Sequence, residues 1–190
     1  MVPKDEDEFQ HMIKTATDCP MPVAFRYPRG KGVGVKRETI LKSIEIGKGE
    51  VLREGEDILI LAIGSTVYPS LRAAERLEDI GIHTAVINSR FLKPLDGDLI
   101  CDWAKRTGGI LTVEENVLQG GFGSAVLELL QERSLFSIQV KCLGIPDLFV
   151  EHGPQTLLRA KYGIDENGIF KEAEKMVEER RSKSVPPIRR

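Results

Sequence analysis

The sequence predicts an α/β domain, a mostly parallel sheet with helices on both faces, over about residues 57–175. Three observations carry that expectation. Short apolar runs recur along the region, separated by amphipathic stretches of helical length. The runs are apolar throughout rather than alternating, which marks strands buried on both faces. Capping residues and glycines stand where each helix has to start and stop.

Asp57 to Ile63, ending at Gly64, is the first such run. Ser65 and Thr66 stand where a helix cap belongs, ahead of a helix through Leu71–Leu77 that stops near Gly81. His83 to Asn88 reads as the second strand. A turn at Lys93-Pro94-Leu95-Asp96 follows, with Asp96 placed to cap a helix from Leu99 to Lys105 that Gly108-Gly109 closes. Gly109–Glu114 is the third strand, Ala125–Glu132 a helix after a glycine-rich turn, and Ile138–Gly144 the fourth strand.

The first 45 residues have a different texture. Glu6–Ala16 predicts a helix with Phe9, Met12 and Ile13 on one side, and Pro22–Tyr27 a single strand between Pro20 and Pro28. One helix and one strand bury no core of their own, so this segment reads as the end of another domain. Gly30–Gly55 reads as a linker with one strand near Gly49–Leu52. The basic, proline-containing end from residue 179 to 190 is expected to be disordered.

Twenty-seven basic and 29 acidic side chains leave a net charge of -2, which supplies no field favouring nucleic acid or an anionic membrane. Cys19, Cys101 and Cys142 are isolated, which argues for reduced thiols rather than disulfides or a thiolate zinc site. His11, His83 and His152 show no metal-ligand spacing, and no metal is expected on this chain. Met1 is followed by the acidic Asp5–Glu8 rather than an apolar leader, so the expected location is the cytoplasm.

Arg26-Tyr27-Pro28-Arg29-Gly30 sets two arginines around a rigid proline at a strand end. A guanidinium fork is a phosphate handle, although surface pairing with carboxylates is the alternative. Gly120-Gly121-Phe122-Gly123-Ser124 opens a helix after a strand but fits neither the dinucleotide fingerprint nor the P-loop, so close helix packing is the expectation. Glu114 and Glu115 offer paired carboxylates for acid–base work, or a helix cap or an interface anchor, the second being preferred. His152, on a loop, reads as structural or solvated.

Read in order, Arg26–Gly30, Ile46–Gly49, Arg90–Asp96, Thr112–Asn116, Gly120–Ser124 and Gly144-Ile145-Pro146-Asp147 resemble the succession in 1-deoxy-D-xylulose-5-phosphate synthases, from about residue 2 to 175. The resemblance implies the C-terminal domain fold of the transketolase class over residues 46–178. Ahead of it, residues 1–45 would be a remnant of the pyrimidine-binding domain and a linker. It implies a transferase dependent on thiamine diphosphate and Mg2+, joining pyruvate to glyceraldehyde 3-phosphate with loss of CO2 for isoprenoid, thiamine and pyridoxal synthesis. It assigns Arg29 to the acceptor's phosphate and leaves Arg26 as an orienting or pairing residue.

The family's Gly-Asp-Gly cofactor motif is absent, and Asp96-Gly97-Asp98 is no substitute, so no cofactor is expected on this chain alone. The resemblance therefore implies a chain that needs a homodimer partner or the N-terminal part of such a synthase. Two alternatives stand beside it. One is a non-catalytic dimerisation or interaction domain; the other is the C-terminal part of a 2-oxoacid dehydrogenase beta subunit or a transketolase.

Overall fold

The structure, a computed structural model, describes residues 1–184. Five strands form one sheet: β1 (Glu50–Arg53), β2 (Ile58–Ala62), β3 (Thr84–Asn88), β4 (Gly109–Val117) and β5 (Gln139–Ile145). Their order is β1-β3-β2-β4-β5, with β1 antiparallel to β3 and every other pair parallel. The helices are α1 (Glu6–Asp18), α2 (Val67–Asp79), α3 (Gly97–Thr107), α4 (Phe122–Glu132), α5 (Gln155–Lys161) and α6 (Glu166–Ser184).

The unbroken apolar strands have their expected cause. Ile58 and Ile60 of β2 point into a core shared with Ala73, Leu77, Ala173 and Val177 of α2 and α6. Leu59 and Leu61, one residue out of phase, point into a core shared with Ile100, Trp103, Phe122 and Val126 of α3 and α4. Asp96 caps α3 through the Leu99 amide, and Gly108 ends it in the left-handed region at φ 67°. Residues Gly64–Thr66 form a single 3₁₀ turn. Thr66 Oγ1 returns its hydrogen to the Ile63 and Val113 carbonyls instead of capping α2.

Two expectations change on the C-terminal side. β4 runs on to Val117, so Glu114, Glu115 and Asn116 lie within a strand. The chain past residue 179 is helical as far as Ser184, because Arg180 donates to the carbonyls of Thr107 and Asp57 and ties α6 to the sheet. Residues 185–190 lie outside the described residues, so the expectation for that stretch concerns residues the structure does not describe.

The first 45 residues are bound to the domain through polar contacts. The buried face of α1 carries Glu8, His11, Met12 and Thr15, whereas Ile13, expected on the inner side, is exposed. Glu8 is almost wholly buried and accepts from Asn88 Nδ2 (2.8 Å), Arg90 Nε (2.7 Å) and both the backbone and side-chain nitrogens of Lys4. Burial works against the charge on Lys4, but Glu8 and Glu50 outweigh it and raise its pKa.

Residues 22–27 are extended but form no strand among the described residues. Their backbone bonds run only to Met1, from Arg26 N to the carbonyl and from the terminal amine to the Ala24 carbonyl. Segment 33–44 has no ladder either, and α1 side chains take up its amides. Glu6 accepts from Val33, Gly34 and Val35, Asp7 from Glu38, His11 from Lys42, and Thr15 from Ile44.

Replacing Glu8 with Ala leaves Lys4 and Arg90 to share Glu50 alone and the buried Asn88 amide without its acceptor, a loss of about 1–3 kcal/mol. Urea unfolding of Glu8→Ala should register most of that loss. A change under ~1 kcal/mol would mean the network is as weak as a surface ion pair.

Candidate functional site at the carboxyl edge of the sheet

Parallel sheets bind ligands beyond the carboxyl ends of their strands, where helix N-termini gather. A cleft of about 410 Å³ lies there. One wall is Ser65, Tyr68 and Arg72 at the start of α2, with Gln155 and Arg159 of α5. The opposite wall comes from the N-terminal segment, with Asp5, Phe9, Tyr27, Pro28 and Lys31.

Most charges in the cleft are already committed. Arg159 Nε donates to Glu115 Oε1 at 2.6 Å, and Ser65 Oγ donates to Glu115 Oε2 at 2.6 Å. Arg72 pairs with Glu166, and Lys4 with Glu8 and Glu50. Tyr68 donates to Asp5 at 2.7 Å, and burial followed by that acceptor raises its pKa, so it stays a donor. The carboxylates are equally occupied. Asp5 caps α1, and Glu6, with its pKa lowered by its own backbone amide and by those of Gly34, Val33 and Val35, is filled by amide donors.

The two arginines of the Arg-Tyr-Pro-Arg-Gly stretch take different places. Arg26 Nη2 donates to the Glu115 carbonyl at 2.7 Å, so it is spent on positioning the extended segment against β4. Arg29 stands at the rim between Pro28 and Gly30, both of which line the cleft. Its carbonyl accepts from Gln155 Nε2 at 3.0 Å, while its exposed guanidinium has no partner among the described residues. Among the described residues, Lys31 in the lining and Arg29 beside it are cations without an ion-pair partner.

Glu114 and Glu115 do not form a catalytic pair. Successive strand residues face opposite sides of a sheet. Glu114 turns to α4 and accepts from the Phe122 and Gly123 amides, both at 2.8 Å, while Glu115 turns to Ser65 and Arg159. The glycine-rich turn serves that approach. A Cβ on Gly121 would meet the Val117 carbonyl at 2.2 Å, and one on Gly123 would meet Cys142 Sγ at 2.7 Å. His152 is exposed on the loop before α5, away from the cleft lining and without a partner among the described residues.

Gln155 and Arg159 escaped sequence reasoning because α5 is short, carries no side-chain cap and has no buried face to give it periodicity. Their four-residue spacing, which sets both on one side of the helix, was the one available signal.

The residues present do not fit a Mg2+–diphosphate group. Asp5 and Glu6 in the cleft are saturated by donors, Asp96 caps α3, and Asp98 pairs with Arg133 across the molecule's surface. Among the described residues no free pair of carboxylates faces the cleft to hold the metal.

Comparison with known proteins agrees with this architecture. The model of the transketolase C-terminal domain matches residues 47–169, and the chain belongs to that family. It is 57% identical over 169 residues to 1-deoxy-D-xylulose-5-phosphate synthase 1 of Geobacter sulfurreducens, covering 89% of this chain and 26% of that protein. It is 52% identical to the synthase of Desulforudis audaxviator, covering 92% of this chain and 27% of that one. The chain thus spans about a quarter of the length of the curated relatives it matches. Among solved structures, one described as a split gene transketolase, inactive beta4 tetramer, superposes with a TM-score of 0.79 at 34% identity. That match covers 93% of this chain and 57% of the other.

Burial is the main influence on the Glu114 carboxyl and raises its pKa against the two amide donors. A raised carboxyl pKa in the fold stabilises the protein below the unfolded value and loses that stability as pH rises through the folded value. The stability of the wild type relative to Glu114→Gln should therefore fall as pH rises from below 4.5 through the raised value, then level off. Denaturant melts of both proteins across this range test it, and a difference that grows with pH would reverse the assignment.

Proposed function

We propose that this chain acts as the C-terminal part of a 1-deoxy-D-xylulose-5-phosphate synthase, with Arg29 as the handle for the acceptor's phosphate. The observation that carries the reading is the exposed Arg29, whose guanidinium has no partner among the described residues and whose backbone stands between the cleft-lining Pro28 and Gly30, its carbonyl bonded by Gln155. The similarity to synthases from Geobacter and Desulforudis supports the reaction class, the condensation of pyruvate with glyceraldehyde 3-phosphate and release of CO2.

A forked donor binds a phosphate dianion through two parallel charge-assisted hydrogen bonds. Arg26, bonded to β4, keeps the segment carrying Arg29 in register, and Lys31 adds positive potential to the same mouth. Proton transfers, thiamine diphosphate and Mg2+ belong to residues outside this chain, since the carboxylates at its cleft are occupied. When bound, thiamine diphosphate supplies the carbanion chemistry of decarboxylation, and this chain's part is to hold and orient the acceptor. The working unit is a homodimer or a complex with the remaining part of a synthase, in the cytoplasm. Exposed Met21, Phe25, Tyr27 and Ile40 on the N-terminal segment are the apolar surface such a partner would cover.

A second reading has one observation in its favour. The solved split-gene transketolase relative is named as an inactive tetramer, which fits a chain of this family that assembles without catalysing. On that reading residues 1–45 and the domain serve interaction alone.

Calorimetric titration of the chain alone with thiamine diphosphate and Mg2+ should show no saturable heat. Saturable micromolar binding would reveal a cofactor site and remove the argument for a partner. With the N-terminal three quarters of the Geobacter sulfurreducens synthase supplied as a separate polypeptide, product formation should appear. In that mixture Arg29→Ala should raise KM for glyceraldehyde 3-phosphate by about 10–100-fold and leave KM for pyruvate unchanged. Complex formation without turnover would favour the interaction domain.

A further inference from the structure

The sequence shows no metal-ligand spacing among its histidines, yet the fold gathers three ligating side chains away from the cleft. His11 Nε2 lies 3.7 Å from Asp7 Oδ2 and 3.8 Å from Glu38 Oε2, and the three ligand atoms all fall within 4.8 Å of one another. Asp7 and His11 are four residues apart on α1, which brings them to one side of the helix. Glu38 arrives from the ladderless segment 33–44, whose amides the same helix holds, and no spacing rule links residue 38 to residue 11.

The geometry points to a zinc site made by Asp7, His11 and Glu38. Three features support it. The His11 side chain is nine-tenths buried, and its Nε2, which faces the two carboxylates, has no hydrogen-bond partner within normal distance. The atoms not facing the centre are held. Asp7 Oδ1 accepts from the Glu38 amide (2.6 Å) and from Gln10 Nε2 (2.9 Å), and His11 Nδ1 sits against the Lys42 backbone. Such outer contacts orient metal ligands. Finally, the size is right. Zinc bonds of ~2.1 Å in a tetrahedron put ligand atoms about 3.4 Å apart, a few tenths closer than the two distances from His11 Nε2.

One imidazole nitrogen with two carboxylates suits zinc. Mg2+ and Ca2+ prefer all-oxygen shells of six or more ligands. Three protein ligands leave the fourth position to water. Binding through Nε2 requires the proton on Nδ1, so the ring would give up the hydrogen bond it accepts from the Lys42 amide (3.0 Å) and donate instead to the Lys42 carbonyl, 3.2 Å away. Lys42 Nζ, 2.8 Å from Glu38 Oε2, is the cation that zinc would compete with, and its side chain is exposed enough to swing aside. A bound ion would clamp α1 to the segment that leads into β1, about one helical turn along from the Glu8 anchor.

The test uses the full chain, stripped with a chelator and titrated with zinc chloride in a calorimeter. One ion per chain should bind saturably and raise Tm. His11→Gln and the isosteric Asp7→Asn should each weaken binding at least about 100-fold, with circular dichroism and a melt without metal reporting that each variant folds. Lys42→Ala, which removes the competing cation, should bind zinc as tightly as the wild type or several-fold more tightly. His152→Gln should change nothing. Cobalt(II) substitution should give tetrahedral visible bands without a thiolate charge-transfer band. Absence of saturable binding, binding unaffected by both His11→Gln and Asp7→Asn, or a thiolate band from one of the cysteines would each overturn the site.

Discussion

The buried carboxylate of Glu8 is the contact on which the rest of the architecture depends. It sits against Asn88 at the end of β3, and it takes hydrogen bonds from Arg90 and from Lys4 on either side of it in space. An uncompensated carboxylate at that depth would be expelled, so the two cations and the amide are what allow α1 to lie on the sheet's edge. Arg90 reaches the position from a left-handed backbone at φ 55°, which turns the chain sharply out of β3. With α1 fixed there, the extended segment behind it closes the cleft. Without this anchor the cleft would lose one wall and keep only α2 and α5.

The same helix resolves a second difficulty. Residues 33–44 carry backbone amides with no strand beside them, and a segment held against a domain with unpaired amides is costly. Glu6, Asp7, His11 and Thr15, spaced along one side of α1, accept from those amides in turn and do the work of a missing strand edge. A segment that reads as a linker by composition is thereby held in a defined course. Its apolar residues, Val33, Ile40 and Leu41, remain exposed because the contacts that hold it are polar.

The sheet was legible and the N-terminal region only in part, for one physical reason. Strands buried on both faces write their burial into consecutive residues, and Asp96 and Gly108 mark α3 by local chemistry, so β2–β5 and α2–α4 followed from pattern alone. The buried face of α1 is mostly polar, so hydrophobic spacing, which set Phe9, Met12 and Ile13 together, found Met12 but missed Glu8, His11 and Thr15 and included the exposed Ile13. Pro22–Tyr27 has the composition of a strand but no neighbour to pair with among the described residues. Arg29 was visible from its motif. The roles of Ser65, Gln155 and Arg159 depend on contacts 44 to 126 positions apart along the chain, distances over which no local rule operates.

The adjacent glutamates of β4 show how this division of labour limits the domain's chemistry. Two carboxylates in sequence suggest an acid–base pair only if both reach one volume, and the pleat of a strand sends them to opposite faces. Glu114 goes under α4, where amides at a helix start donate to it, and Glu115 goes to Ser65 and Arg159, where it braces α5 against the end of the sheet. Each is consumed in building the carboxyl edge. Among the described residues, Arg29 and Lys31 on the segment laid over this edge have no ion-pair partner. A surface that offers free cations but no free base can hold an anionic group, and it leaves bond-making to groups that approach from outside.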